Sequence, residues 1–244
     1  MIDTHAHLHA CADSPEELVA RAQAAGVDRI VEVGAWPEFW SQVADFCAST
    51  EDVVPVLGIH PHRAGDVDGA RLSELARLDP VAVGETGLDY YRDYAPHGAQ
   101  RQLFQAHLAL ADELEKPVVV HCRAADTDVA KALDGFGGTV VLHCFSSPGL
   151  LDVALARGYY VSFAGNVTYP NAHDLHAAAR AIPRDRLLAE TDSPYLAPQP
   201  RRGRPNEPAN VVHTIAALAE LRGETAQALA AQLDENATAA FALR

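Results

Sequence analysis

The sequence predicts a single (β/α)8 TIM barrel with a C-terminal helical extension, and three observations predict it. Short β-branched runs alternate with longer Ala-, Leu- and Glu-rich stretches of helical period, the pattern of repeated βα units on a parallel sheet. Eight strand segments can be counted, at residues 1–5, 28–34, 53–60, 81–85, 117–121, 139–143, 159–163 and 187–191. The length of 244 residues suits one barrel, which runs to about 250 residues as one unit. One domain over residues 1–244 is therefore expected. A doubly wound dinucleotide fold would open with G-x-G-x-x-G after its first strand, where His5-Ala6-His7 stands instead.

The elements follow in order. After the first strand, Ser14 can cap a helix over 14–25, with Pro15 in its first turn, Glu16 and Glu17 at the positive end of its dipole, and Gly26 closing it. The third, fourth, fifth, sixth and eighth strands end near a residue able to bind a metal or a substrate, and helical stretches follow most of the strands. Residues 194–208 carry five prolines and read as an ordered loop after the last strand, and an Ala-rich helical tail covers 209–243.

Composition excludes several classes of protein. With 48% hydrophobic residues the chain is neither disordered nor collagenous. Its apolar runs fall far short of the roughly 18 residues of a membrane span. The first residues have neither the basic flank nor the apolar core of a signal peptide, so a cytoplasmic protein is expected. Cys11, Cys47, Cys122 and Cys144 form no C-x-x-C pair, which disfavours a thiolate zinc site or a disulfide framework. A net charge of −14 repels a polyanion at long range, so a nucleic-acid substrate would depend on local arginines or bound cations.

The chemistry concentrates where strands end. His5 and His7 stand two apart at the end of the first strand, and residues i and i+2 of a strand face the same side. Glu85, His121, His143 and Asp192 end the fourth, fifth, sixth and eighth strands, and the C-terminal strand ends of a barrel converge on one face. Four imidazoles and two carboxylates suit two divalent cations, with a carboxylate able to bridge them. Zinc, manganese, magnesium and nickel all remain open as the pair of metal ions. Cys122 and Cys144 each follow a ligand by one residue on a strand and are expected to point away from the metals.

Together these residues resemble the TatD-related metal-dependent deoxyribonucleases, within the amidohydrolase-like barrels. The resemblance covers nearly the whole chain. It rests on Asp3-Thr4-His5-Ala6-His7-Leu8, Gly58-Ile59-His60-Pro61-His62, Gly84-Glu85-Thr86-Gly87-Leu88-Asp89-Tyr90-Tyr91, Val120-His121-Cys122-Arg123, His143-Cys144-Phe145-Ser146 and Glu190-Thr191-Asp192-Ser193-Pro194. It implies that His5, His7 and Asp192 hold one metal and His121 and His143 the other, that Glu85 bridges them, and that Asp192 is the acid/base. The implied reaction is metal-assisted phosphodiester hydrolysis of DNA, from the ends of single or frayed strands, with no membrane and no obligate protein partner. The chain departs from the family's pattern at His9, where Asp is frequent, at Ser147, where Gly is usual, and at Pro170, where Lys is common.

Substrate contacts are expected from His60, Arg123, Tyr90 and Arg202. His60 ends the third strand, Arg123 follows a ligand, Tyr90 can stack on a base, and Arg202 lies in the loop after the last strand, where barrels hold phosphate. Asp89 is a candidate to orient a ligand histidine. The competing reading is a hydrolase of small amides, esters or lactones, or a D-aminoacyl-tRNA deacylase, on the same binuclear site. Many amidohydrolases bridge their metals through a carboxylated lysine. Here Lys116 lies at the wrong end of the fifth strand and Lys131 in a helical stretch, which favours the nuclease branch.

Overall fold

Eight parallel strands are hydrogen-bonded in sequence order: β1 (Ile2–Ala6), β2 (Arg29–Gly34), β3 (Val53–Leu57), β4 (Ala82–Asp89), β5 (Val118–Arg123), β6 (Val140–Leu142), β7 (Tyr160–Phe163) and β8 (Leu187–Ala189). The computed structural model describes residues 1–66, 69–92 and 94–243, and every count refers to these. Main chain beyond β8 reaches back to β1. The Asp192 N–H donates to His5 O at 2.9 Å, and the His7 N–H donates to Ser193 O at 2.8 Å. The predicted barrel is thus present and nearly closed. Several strand ends differ from the sequence reading: β4 continues past Glu85 to Asp89 and β5 past His121 to Arg123, whereas β3 stops at Leu57, β6 at Leu142 and β8 at Ala189, which leaves His60, His143 and Asp192 beyond their strands.

The helices between strands are α1 (Pro15–Ala24), α2 (Trp40–Ser49), α3 (Leu75–Leu78), α4 (His97–Glu113), α5 (Asp126–Ala132), α6 (Leu151–Arg157) and α7 (His173–Ala181). At the start of α1 the Ser14 side chain accepts from the Glu17 N–H and Glu17 reaches back to the Ser14 N–H, a full capping box. The tail is two helices rather than one, α8 (Val211–Arg222) and α9 (Ala226–Ala240). Gly223 ends α8 in the left-handed region, and the Thr225 side chain restarts the chain by capping α9.

Alternation along the strands sorts the core into two layers. Val31, Val56, Ala82, Val119, Val141 and Leu188 cluster inside the barrel, while their strand neighbours Ile30, Leu57, Val83, Val118, Val120, Val140 and Leu187 pack outward against helices. Ala237, Ala240 and Phe241 of the α9 end join the inner cluster and plug the barrel from below. Above this apolar layer the Thr4 and Ser162 hydroxyls meet at 3.1 Å. No helix among the described residues is long and apolar enough to cross a membrane.

Candidate metal centre

Glu85 is the hub. It sits on β4, 2% exposed, and its two carboxylate oxygens face different histidines. Oε2 lies 3.6 Å from Nε2 of His5 and 3.6 Å from Nε2 of His7. Oε1 lies 2.8 Å from His121 Nδ1, 2.8 Å from His143 Nε2 and 3.3 Å from His60 Nε2. Asp192 joins the first set, with Oδ1 3.6 Å from His7 Nε2 and 4.0 Å from His5 Nε2.

Local backbone explains how these groups reach one another. Gly87 has φ +133°, and a Cβ there would lie 2.1 Å from His121 O, so β4 approaches β5 at the level of the site only because this position is glycine. Asp192 leaves the barrel wall in the left-handed region, held by its N–H to His5 O and by the Tyr195 N–H donating to its carbonyl at 2.8 Å. His7 lies just past β1, and its Nδ1 donates to Val33 O at 2.9 Å, which turns Nε2 toward the site.

The electrostatics call for cations. Among the described residues every ion-pair partner of Glu85 within 4 Å is a histidine. Burial raises the Glu85 carboxyl, but the charges of His143 and His60 and the hydrogen bonds of His121 and His143 outweigh it and hold the group well below the usual carboxylate range. Burial likewise opposes charge on His7, yet the hydrogen bond it gives to Asp192 and the charge of Glu85 lift it to about 9. Protons on imidazoles thus stand where positive charge is needed. The donors fit divalent metals: imidazole nitrogens and carboxylate oxygens in three groups whose atoms lie within 4.8 Å of one another, His5 with His7 and Glu85, His60 with Glu85 and His121, and His5 with His143 and Asp192.

Supporting contacts surround this ring. Asp89 accepts from His62 Nε2 at 2.8 Å and lies 3.4 Å from His121 Nε2, the orienting role expected of it. Asp3 accepts from the Thr191 hydroxyl and N–H at 2.6 and 2.9 Å, which ties β1 to the chain that carries Asp192. Glu190 is a residue that sequence reasoning passed over. It is fully buried, its Oε1 accepts from the Cys144 N–H and lies 3.3 Å from His143 Nδ1, and its Oε2 has no hydrogen-bond partner among the described residues. Its position two residues before Asp192 was the available signal.

Three comparisons place the chain among known proteins. The family model described as "TatD related DNase" matches residues 2–242. The chain belongs to this family. It is 39% identical to "Uncharacterized metal-dependent hydrolase TatD" of Mycobacterium tuberculosis, over 100% of this chain and 98% of that protein. It is 37% identical to "3'-5' ssDNA/RNA exonuclease TatD" of Pantoea vagans, over 95% of each. The crystal structure of the TatD homologue YJJV from Escherichia coli K12 superposes with a TM-score of 0.93 at 30% identity, covering 100% of this chain and 98% of that one. The chain is thus a metal-dependent hydrolase of the TatD family.

The rim of this TatD-family barrel holds the remaining expected contacts, with differences. His60, expected at the substrate, lies against Glu85, with Nε2 3.3 Å from Oε1, and burial lowers its pKa to about 4, which favours the neutral imidazole. Tyr90, expected to stack on a base, is stacked on His97 with centroids 3.8 Å apart and donates its hydroxyl to Asp128 at 2.7 Å, so its ring is already engaged. The open ring is that of Tyr91, 63% exposed, with the Arg123 guanidinium 4.0 Å from its centroid. Arg202 lies 4.4 Å over Tyr169. Cys122 points to Asp126, away from the site. Cys144 does not follow the alternation expected of a strand: it lies past β6 at φ +43°, and burial together with the Asp192, Glu190 and Glu85 charges holds its thiol protonated.

Proposed function

We propose that this chain is a two-metal phosphodiesterase that removes nucleotides from the ends of single-stranded DNA, with Asp192 as the acid/base. The observation that carries the reading is the division of Glu85: Oε2 faces His5 and His7, Oε1 faces His60, His121 and His143, as a carboxylate shared by two cations requires. Divalent ions on these donor sets would acidify a water and polarise a phosphoryl oxygen. His5, His7 and Asp192 would hold one ion and His121 and His143 the other, with His60 completing the second set. Asp192 is the more open carboxylate, its side chain 13% exposed against 3% for Glu85, so it is the group able to take a proton from an attacking water and return it to a leaving oxygen. Arg123 and Arg202, each laid on a tyrosine at the rim, would meet the phosphates of a strand.

Relatives named 3'-5' ssDNA/RNA exonucleases, in Pantoea vagans and in Cronobacter sakazakii at 37% identity over 93% of this chain, support a nucleic acid as substrate and the 3′ end as the point of attack. The test is cleavage of end-labelled single-stranded DNA by chelator-stripped protein with Mg²⁺, Mn²⁺ or Zn²⁺ restored. Laddering from the 3′ end is expected, and Asp192→Asn should lower it by about 10²–10⁴-fold. No cleavage by protein that binds two metal equivalents overturns the reading in favour of an amide or ester substrate, with hydrolysis of aminoacyl-tRNA as the next assay.

A further inference from the structure

Beside His7 lies a cavity of ≈ 260 Å³ that the donor ring does not use. Trp36, Phe39 and Tyr195 line it. Two of these walls also border the metal centre: the Trp36 ring lies 6.5 Å from the His7 ring and 5.5 Å from that of His60, and the Tyr195 ring 6.1 Å from that of His7. Phe39 and Tyr195 are 44% and 53% exposed, so this end of the barrel leaves aromatic faces open to solvent. The volume is below the roughly 300–1,000 Å³ of pockets that take a whole drug-sized ligand, which suits a single flat ring system.

The polar side chains of the lining are those of His7, shared with the metal centre, His9 and Glu32. Glu32, on β2, is fully buried, and its Oε2 accepts the Leu8 N–H at 2.7 Å. Its Oε1 takes His9 Nδ1 at 2.9 Å, and the His9 side chain is only 10% exposed, its ring edge-on to Phe46. A carboxylate at that distance makes Nδ1 the donor, so in the neutral imidazole Nε2 is the ring atom with a free lone pair. His9 therefore brings one fixed acceptor to a flat, aromatic-walled cavity that adjoins the metal centre.

We propose that this cavity is a nucleobase subsite, resting on the phosphodiesterase reading above, in which the base of the nucleotide held at the metal centre stacks on Trp36 and donates its exocyclic amine to His9 Nε2. Cytosine N4 and adenine N6 satisfy that acceptor; uracil and thymine bring a carbonyl to the same place and leave it unpaired. The subsite thus prefers cytosine or adenine over uracil or thymine at the residue being released.

Deoxycytidine and deoxyuridine monophosphates differ in amine against carbonyl at C4 and in the N3 proton that goes with it, and titrating each into Mg²⁺-loaded protein reads the proposal. Trp36 reports through its fluorescence. The chain has two tryptophans, and the other, Trp40, is buried with Nε1 bonded to Gly34 O and Gly58 O at 3.0 Å. Both nucleotides should quench Trp36, a quench absent in Trp36→Phe and with deoxyribose 5-phosphate, and deoxycytidine monophosphate should bind about tenfold more tightly. His9→Phe should remove that gap and leave the deoxyuridine affinity unchanged, whereas a purely structural role of His9 would weaken both nucleotides equally. Equal affinities in the wild type, a gap that survives His9→Phe, or no quenching by either nucleotide overturns the subsite. If His9→Phe does not fold, the wild-type ratio decides alone. Discrimination between mononucleotides without cleavage of DNA would leave the subsite standing and remove the phosphodiesterase reading; cleavage without discrimination would do the reverse.

Discussion

His107 shows how a side chain outside the donor ring positions one within it. It is fully buried on α4, its Nδ1 donates to Leu103 O at 2.8 Å, and its Nε2 accepts the Ile59 N–H at 3.0 Å, so it fixes the chain just before His60. Burial lowers its pKa from 6.5 to about 4, the Leu103 hydrogen bond offsetting only part of the effect. A proton on Nε2 would break the Ile59 bond. The sign follows: between these values the unfolded chain binds the proton more readily than the folded one, so stability rests on His107 being neutral and is lost as pH falls from about 6.5 toward about 4. At about 1.4 kcal/mol per pH unit the loss approaches about 3.5 kcal/mol. Urea unfolding of wild type and His107→Gln at pH 7 and pH 4.5 checks this. The stability difference between the two proteins should shrink at pH 4.5, and an equal difference at both pH values would show that His107 is not held neutral.

At the scale of elements, α9 does more than extend the barrel. The Asn236 side-chain amide donates to Arg184 O and Leu187 O at 2.8 Å, which pins the helix under β8. Phe241, 1% exposed, follows the helix into the inner cluster with Ile2 and Val31. Phe241→Ala should therefore cost about 3–5 kcal/mol, because the barrel strands around it cannot collapse into the space it leaves. A thermal melt should show a clear fall in Tm. Metal content at room temperature should be unchanged, because the donors lie at the opposite end of the strands.

For the whole molecule, charge decides how a nucleic acid is met. With a net charge of −14, the proposed association with a nucleic acid would rely on metal ions and a few rim arginines rather than on a basic groove. A single-strand binder loses affinity with salt at a slope of about −0.7 for each phosphate contact, so two arginine contacts predict a rise in KM of under about tenfold between 50 and 200 mM salt. KM for an oligonucleotide measured across that range checks the prediction. A rise of a hundredfold or more would mean that many more cationic contacts form than Arg123 and Arg202 supply.

The fold was legible in the sequence because its signals are local. Strand runs, the Ser14 cap and Gly26 are set by neighbours a few residues apart, and so is the placing of His5, His7, His143 and Asp192 near or just beyond strand ends and of Glu85 and His121 on β4 and β5. Alternation carried the reading as far as the strands ran. Beyond them only tertiary structure decided. Cys144 turns back into the left-handed region, and His60 reaches Glu85 from a loop that α4 holds in place. Tyr90 is claimed by His97 and Asp128, and Glu190 is buried beneath His143 by closure of the barrel. The sequence by itself determined which donors exist and that a barrel would carry them to one face. Which carboxylate oxygen meets which imidazole depends on strand register and loop packing, contacts between residues far apart in the chain, and these form only when the barrel closes.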